Sequence, residues 1–259
     1  MRRLCNYFPD TMKLAGAMVA QNYDPRYGTF KCLKSLCDFT VVLDDNSTQV
    51  RSITSLLSEK PDEHLLLTRP PNSLWNDTGN RTMLMYRAYL AECDYVLPWS
   101  ADVLPSHALY EWIQNLRTVG GQILSDFLKC ELREVWNSPS TWRSDGRWSD
   151  KRNVFLQRNW FFDSNYKMPE ASGRLHAYPW GHNGRKKTQI FNMPKGFSIY
   201  HFGGMTPEQR TARVAKYAIE DAGNHFQADY KYLADETGLE FSAVPHEDQD
   251  FFKRWMTPV

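Results

Sequence analysis

The sequence contains no apolar run approaching the roughly 20 residues that cross a bilayer as a helix. Its opening stretch, in which Arg2 and Arg3 are followed by Asn6, Pro9 and Asp10, does not read as a secretory signal, so a cytoplasmic location is the expectation. Cysteine is scarce: the five residues Cys5, Cys32, Cys37, Cys93 and Cys130 are odd in number, lack CxxC spacing and sit mostly in apolar surroundings. Reduced structural thiols follow, rather than a disulfide framework or a metal knuckle. Net charge is nearly absent, with 31 Lys and Arg against 30 Asp and Glu. The chain as a whole is therefore no electrostatic partner for nucleic acid or an anionic membrane, and any polyanion site must be local. Internal repeats and low-complexity tracts are also missing. What is present is 259 residues that are 42% hydrophobic and 14% aromatic, enough to bury the core of one large α/β domain.

Residues 13–19 form a short apolar run that ends in a polar loop at 20–25, as a buried first strand would. Phe30, Leu33 and Cys37 fall at helical spacing, and residues 39–43 are β-branched and continuous, stopping abruptly at Asp44, Asp45, Asn46 and Ser47. Strand, helix and strand at this spacing make a βαβ unit with strands covered on both faces. A third strand is expected at 64–68, a helix at 82–92 and a fourth strand at 94–97, which stops at Trp99, Ser100, Ala101 and Asp102. Acidic residues thus lie just beyond the carboxyl ends of two strands, where open α/β sheets place their ligands.

Between residues 141 and 200 there are eleven Lys and Arg against four acids, leaving the rest of the chain net acidic. Periodicity is weak here and aromatics are dense, so long substrate-receiving loops are expected. Order returns with a strand at 197–201. A helix follows, with Thr206 as cap, Pro207 at its first position and Gln209 completing a capping box. Its inward residues are expected to be Val214, Tyr217 and Ala218, with Arg210, Arg213 and Lys216 on its surface.

Residues 18–22 with 41–48, then Asn80 and Arg81 opening a helix before 93–102, and finally Ile199, Tyr200, His201, Phe202, Gly203 and Gly204, together resemble family-2 and related GT-A glycosyltransferases. The resemblance runs from about residue 13 to 221. It implies a Rossmann-like, mostly parallel sheet flanked by helices, with an irregular acceptor-side insertion. It further implies an N-terminal extension at 1–11, a GT-A domain at 12–222 divided near residue 105 into nucleotide-sugar and acceptor halves, and a tail at 223–259 packed on it. Asp44, Asp45 and the following Ser47 look like the family's nucleotide-binding DDxS turn, and Asn22, Arg81 and Ser100 would join them around the donor. Asp102 stands where the last acid of the DxD motif would stand, Ser100 replacing the first, and His201 resembles the His of an H-x-G segment that returns to the metal. The implied cofactors are Mn²⁺ or Mg²⁺ and a nucleotide-sugar donor, with a UDP-sugar as first choice, because hard divalent ions prefer carboxylate oxygen and neutralise a departing diphosphate.

An inverting transferase also needs a base near the acceptor hydroxyl. Glu170, His176 and Asp145 are the candidates. The acceptor is expected to be a glycan stacking on Trp142, Trp148 or Trp180, or alternatively a hydroxymethylated base in DNA, whose phosphates would meet Arg185, Lys186 and Lys187. Neither a membrane span nor an obligate protein partner is evident. Three further readings stay open. A non-catalytic nucleotide-sugar binder is suggested by Ser100, nucleotidyl transfer is disfavoured by the lack of a Gly-rich signature near the first strand, and a purely structural partner-binding protein is disfavoured by the paired strand-end acids.

Overall fold

The computed structural model describes residues 12–69, 77–118, 125–146, 148–159, 189–220 and 230–257. Its first half alternates strand and helix: β1 (Leu14–Ala20), α1 (Thr29–Leu36), β2 (Phe39–Asp45), α2 (Val50–Glu59), β3 (Glu63–Leu67), α3 (Asp77–Leu90) and β4 (Tyr95–Ser100). The strands lie parallel in the order β3, β2, β1, β4, with Val19 opposite both Leu43 and Ser100. Their carboxyl ends, carrying Asn22, Asp44, Asp45 and Asp102 just beyond, therefore share one rim of the sheet.

β1 is wholly buried because both of its faces are covered. Leu14, Met18 and Ala20 meet α1 and the helix α4 (His107–Thr118), whereas Ala15, Ala17 and Val19 meet Leu84, Met85 and Ala88 of α3. Helix α3 begins earlier than its apolar spacing suggests. Asp77 in its first turn holds Arg81 one turn later, and Asn80 reaches across to Asp45.

The second half is mixed. β5 (Val103–Pro105), β6 (Phe127–Trp136), β7 (Ser138–Arg143), β8 (Arg152–Arg158), β9 (Ile190–Asn192), β10 (Ser198–His201) and β11 (Phe241–Ala243) extend the same sheet. β8 inserts antiparallel between β4 and β6, so the stretch 141–200 is not loop throughout. Val154, Phe155 and Leu156 are buried there, and their three-residue run is too short to stand out among charged neighbours. The fold class is nonetheless the expected one, an α/β sheet with mostly parallel core strands flanked by helices.

Helix α5 (Pro207–Glu220) starts with the capping box its sequence announces: Thr206 N donates to Gln209 Oε1 at 2.9 Å and Gln209 N to Thr206 Oγ1 at 3.3 Å. Its inward face differs from expectation. Arg210 is 1% exposed, its guanidinium 4.0 Å from the Trp136 ring and bonded to the carbonyls of Gly204 and Met205, while Ala218 is exposed. A guanidinium that stacks on indole and satisfies two carbonyls is stable where an unpaired cation would not be. Helix α6 (His246–Trp255) seats Phe251 and Phe252 against Tyr200, Phe202 and Val135. Among the described residues no helix is long and apolar enough to cross a membrane. Cys32, Cys93 and Cys130 are buried free thiols.

Candidate functional site

At the carboxyl rim of the parallel strands lies a cavity of about 610 Å³. This volume is within the usual range for a small-molecule site. Its wall comes from the loop after β1 (Asn22, Asp24, Arg26), from the start of α3 (Asp77, Arg81), from the end of β4 (Ser100, Asp102), and from His201 and α5 (Arg213, Lys216). Arg26, Arg51, Arg81, Arg213 and Lys216 line it from four separate elements beside Asp24, Asp77 and Asp102, with Arg26 paired to Asp24, Arg81 to Asp77 and Arg213 to Glu134. Such a lining suits an anionic, hydroxyl-rich ligand and not an apolar one.

Asp102 and His201 are brought together by strand pairing. β5 and β10 run antiparallel with His201 opposite Val103, and Phe202 N donates to Asp102 O at 2.7 Å. Asp102 Oδ2 then lies 3.1 Å from His201 Nε2. On the far side of the imidazole, Nδ1 lies 2.7 Å from Glu134 Oε2, and the other oxygen of Glu134 is bonded by Arg213. Glu134 reaches its place because β6 is the parallel neighbour of β10, with Glu134 in register opposite His201.

The two glycines after His201 make room for this row. A Cβ on Gly203 would lie 2.1 Å from Asp102 Oδ2, and one on Gly204 would lie 2.5 Å from Glu134 Oε1. The segment His201, Phe202, Gly203, Gly204 thus supplies one imidazole and two gaps for carboxylates.

Electrostatics follow from the geometry. Burial opposes the charge on each group, but mutual attraction overcomes it. The His201 imidazolium draws the Asp102 carboxyl down to about 2, and His201 with Arg213 draws Glu134 down to about 2. In turn Asp102 and Glu134 lift His201 to about 9. The Arg213 guanidinium is also raised despite burial, chiefly by Glu134.

Whether a divalent ion fits can be judged from the Asp102 and His201 atoms. Oδ2 and Nε2 form a hydrogen-bonded ion pair at 3.1 Å, and an ion bound here would take the place of the Nε2 proton, since two cis ligands about 2.1 Å from a six-coordinate ion also lie about 3 Å apart. A histidine whose second nitrogen is held by a carboxylate is the usual form of a ligating histidine. The Asp102 side chain keeps 33% of its exposure and lines the cavity, so the pair is reachable. Among the described residues no group of three or more His, Cys, Asp and Glu is arranged to hold an ion by itself. The residues present fit an ion shared with a ligand's own oxygens.

The other expected residues are distributed as follows. Asn22 lines the cavity and stitches two loops together: its Oδ1 accepts from Thr48 N at 3.0 Å and Gln49 N at 3.1 Å, and its N donates to Ser47 Oγ. Arg81 and Ser100 line the cavity, Arg81 bonded through Nε to both oxygens of Asp77. Asp44 and Asp45 stand at the same rim but outside the cavity wall. Asp45 is committed to Arg69 at 2.7 Å and Asn80 at 2.6 Å, bracing α3, whereas Asp44 Oδ2 is buried without a partner. Asp145 has both carboxylate oxygens on Arg143 and does not line the cavity. Glu170 and His176 lie outside the described residues, as do Trp180, Arg185, Lys186 and Lys187. Trp142 and Trp148 carry cations on their rings, Arg133 at 4.9 Å and Lys151 at 3.9 Å, so neither presents an unoccupied pair of faces.

Glu134 and Arg213 were missed by sequence reasoning. Glu134 sits in an alternating strand among Glu131 and Arg133, with no motif to mark it. Its signal was available only jointly, as an acid that pairs with His201 once β6 and β10 are adjacent.

No family model matches the chain, and no curated protein matches it. Solved structures with a similar course do exist. One is S. aureus TarS 1-349, at 14% identity and a TM-score of 0.44, covering 86% of this chain and 68% of that one. A second is glucosyl-3-phosphoglycerate synthase from Mycobacterium tuberculosis, in complex with Mn²⁺, UDP and glucosyl-3-phosphoglycerate, at 11% identity and a TM-score of 0.42, covering 90% and 88%. A third is a putative nucleotide-diphospho-sugar transferase from Desulfovibrio desulfuricans G20, at 10% identity and a TM-score of 0.37, covering 94% and 98%. What the site does is read from its own residues.

Proposed function

We propose that the chain is a glycosyltransferase that moves a sugar from a nucleotide-sugar donor, with a UDP-sugar as first choice, to a hydroxyl acceptor. The observation that carries this reading is the Asp102 and His201 pair, 3.1 Å apart on the wall of a cation-lined cavity of about 610 Å³ at the carboxyl rim of a parallel sheet.

In this reading Asp102 and His201 hold Mn²⁺ or Mg²⁺, which supplies charge neutralisation for the departing diphosphate. Arg213 and Lys216, one turn apart on α5, face the same cavity and offset the remaining phosphate charge. Asn22, Arg81 and Ser100 surround the nucleoside. Asp44 and Asp45 act from behind the wall, Asp45 by fixing the start of α3 and with it Arg81. The base that an inverting reaction requires is assigned to Glu170 or His176. Asp145, held by Arg143, serves that purpose less well.

A second reading, a nucleotide-sugar binder without turnover, is favoured by one observation: Asp102 is the single acid in the segment where the family carries two, Ser100 occupying the other place. The modified-DNA acceptor remains an alternative carried by Arg185, Lys186 and Lys187.

The deciding experiment incubates the protein and Mn²⁺ with UDP- and GDP-sugars against glycans and hydroxymethylated DNA, reading products by mass spectrometry. The proposal expects a sugar-mass increment on one acceptor that EDTA abolishes. Metal-dependent donor binding with no transfer or hydrolysis across the panel would favour the binder.

A further inference from the structure

The turn leading into β5 and the neighbouring strands β10 and β6 present Asp102, His201 and Glu134 in a row, and the third member does not line the cavity. We infer that Glu134 is a positioning residue, which fixes the His201 ring through Nδ1 so that Nε2 is presented beside Asp102 as a ligand for the divalent ion, with Arg213 fixing Glu134 in turn. This rests on the donor-site reading above and adds a residue to it.

The geometry gives each atom of Glu134 a purpose. Its side chain is 2% exposed, so it contacts no solvent-borne ligand directly. Charge neutralisation alone would be met by Arg213, yet only Oε1 is turned to Arg213, and Oε2 lies 2.7 Å from Nδ1. An imidazole has two nitrogens and can bind an electrophile through either one. A carboxylate that accepts the Nδ1 proton stops the ring from turning and leaves Nε2, whose proton faces Asp102, as the nitrogen that exchanges its proton for an ion. Gly204 belongs to the same device, since a Cβ there would lie 2.5 Å from Oε1 and 3.0 Å from Arg213 Nη1.

The test measures Mn²⁺ affinity of the UDP-saturated protein by calorimetry, together with the melting temperature, for the wild type and Glu134→Gln. The amide keeps the shape and removes the charge. Loss of an outer carboxylate of this kind lowers metal affinity about 10- to 100-fold, and that is the result expected for folded Glu134→Gln. Wild-type Mn²⁺ affinity in folded Glu134→Gln, even with a lowered melting temperature, would overturn the inference and reduce Glu134 to a structural acid. If the wild type itself binds no Mn²⁺, the donor-site reading fails first and takes this inference with it. Should Glu134→Gln not fold, wild-type protein labelled with ¹⁵N-histidine and titrated with Mg²⁺ decides the matter. The expected result is a shift of the His201 Nε2 resonance with Nδ1 still protonated. A metal-induced change at Nδ1 would overturn the inference.

Discussion

Replacing Gly203 by Ala tests the metal pair without substituting either ligand, the new Cβ pressing mainly on Asp102 and also lying 3.1 Å from His201 Cε1. Gly203 is not in the left-handed region of backbone space, so alanine is tolerated by the main chain and its effect is steric. The new Cβ would lie 2.1 Å from Asp102 Oδ2, whereas ordinary contacts of this kind begin at 3.4 Å, so about 1.3 Å must be recovered. The Asp102 side chain is 33% exposed and can turn toward solvent, which makes it the group that yields. Its separation from His201 Nε2 then grows from 3.1 Å to about 4 Å, beyond the spacing of two ligands on one ion. Overpacking of this size costs about 1 to 3 kcal/mol of stability. Losing one charged ligand should weaken Mn²⁺ about 10- to 100-fold, equivalent to about 1.4 to 2.8 kcal/mol. Calorimetric titration of the UDP-saturated protein with Mn²⁺, alongside urea denaturation, reads both quantities. An alanine variant that binds Mn²⁺ like the wild type while losing stability would show that the Asp102 position does not govern metal binding.

Other outcomes follow from the same contacts. Arg210→Met should cost about 2 to 4 kcal/mol in urea denaturation, because it removes bonds to the Gly204 and Met205 carbonyls and a cation stacked 4.0 Å over Trp136. Thr206→Ala breaks the reciprocal cap of α5 and should cost about 1 kcal/mol, with helix content otherwise kept. Phe252→Ala should cost about 3 to 5 kcal/mol, since Phe252 is 1% exposed and packs edge-on against Tyr200 and Phe202. A loss below 1 kcal/mol would mean that α6 is dispensable to the core.

The first half of the fold was legible because its strands are apolar runs ended by turn residues, and parallel pairing put their polar ends at one rim. The capping box of α5 was legible for a similar reason: its three residues act on one another locally. What stayed hidden depends on partners distant in sequence. Arg210 reads as a surface residue until Trp136 and two carbonyls are placed beneath it, and the buried strand 152–158 is too short and too charged at its ends to announce itself. Asp102 and His201 were singled out from motif positions and the structure places them side by side, whereas placing Glu134 beside them required knowing that β6 lies beside β10. Asp45, expected at the donor, is bonded to Arg69 and Asn80, contacts that no local pattern specifies.

The central claim is that Asp102 and His201 form a metal-assisted site for a nucleoside diphosphate. Calorimetric titration of UDP into the protein, with Mn²⁺ and then with EDTA, for the wild type and Asp102→Ala, addresses it most directly. The account predicts binding that is strong with Mn²⁺, at least tenfold weaker in EDTA, and equally weak for Asp102→Ala under both conditions. Equal affinity in all four titrations would contradict it.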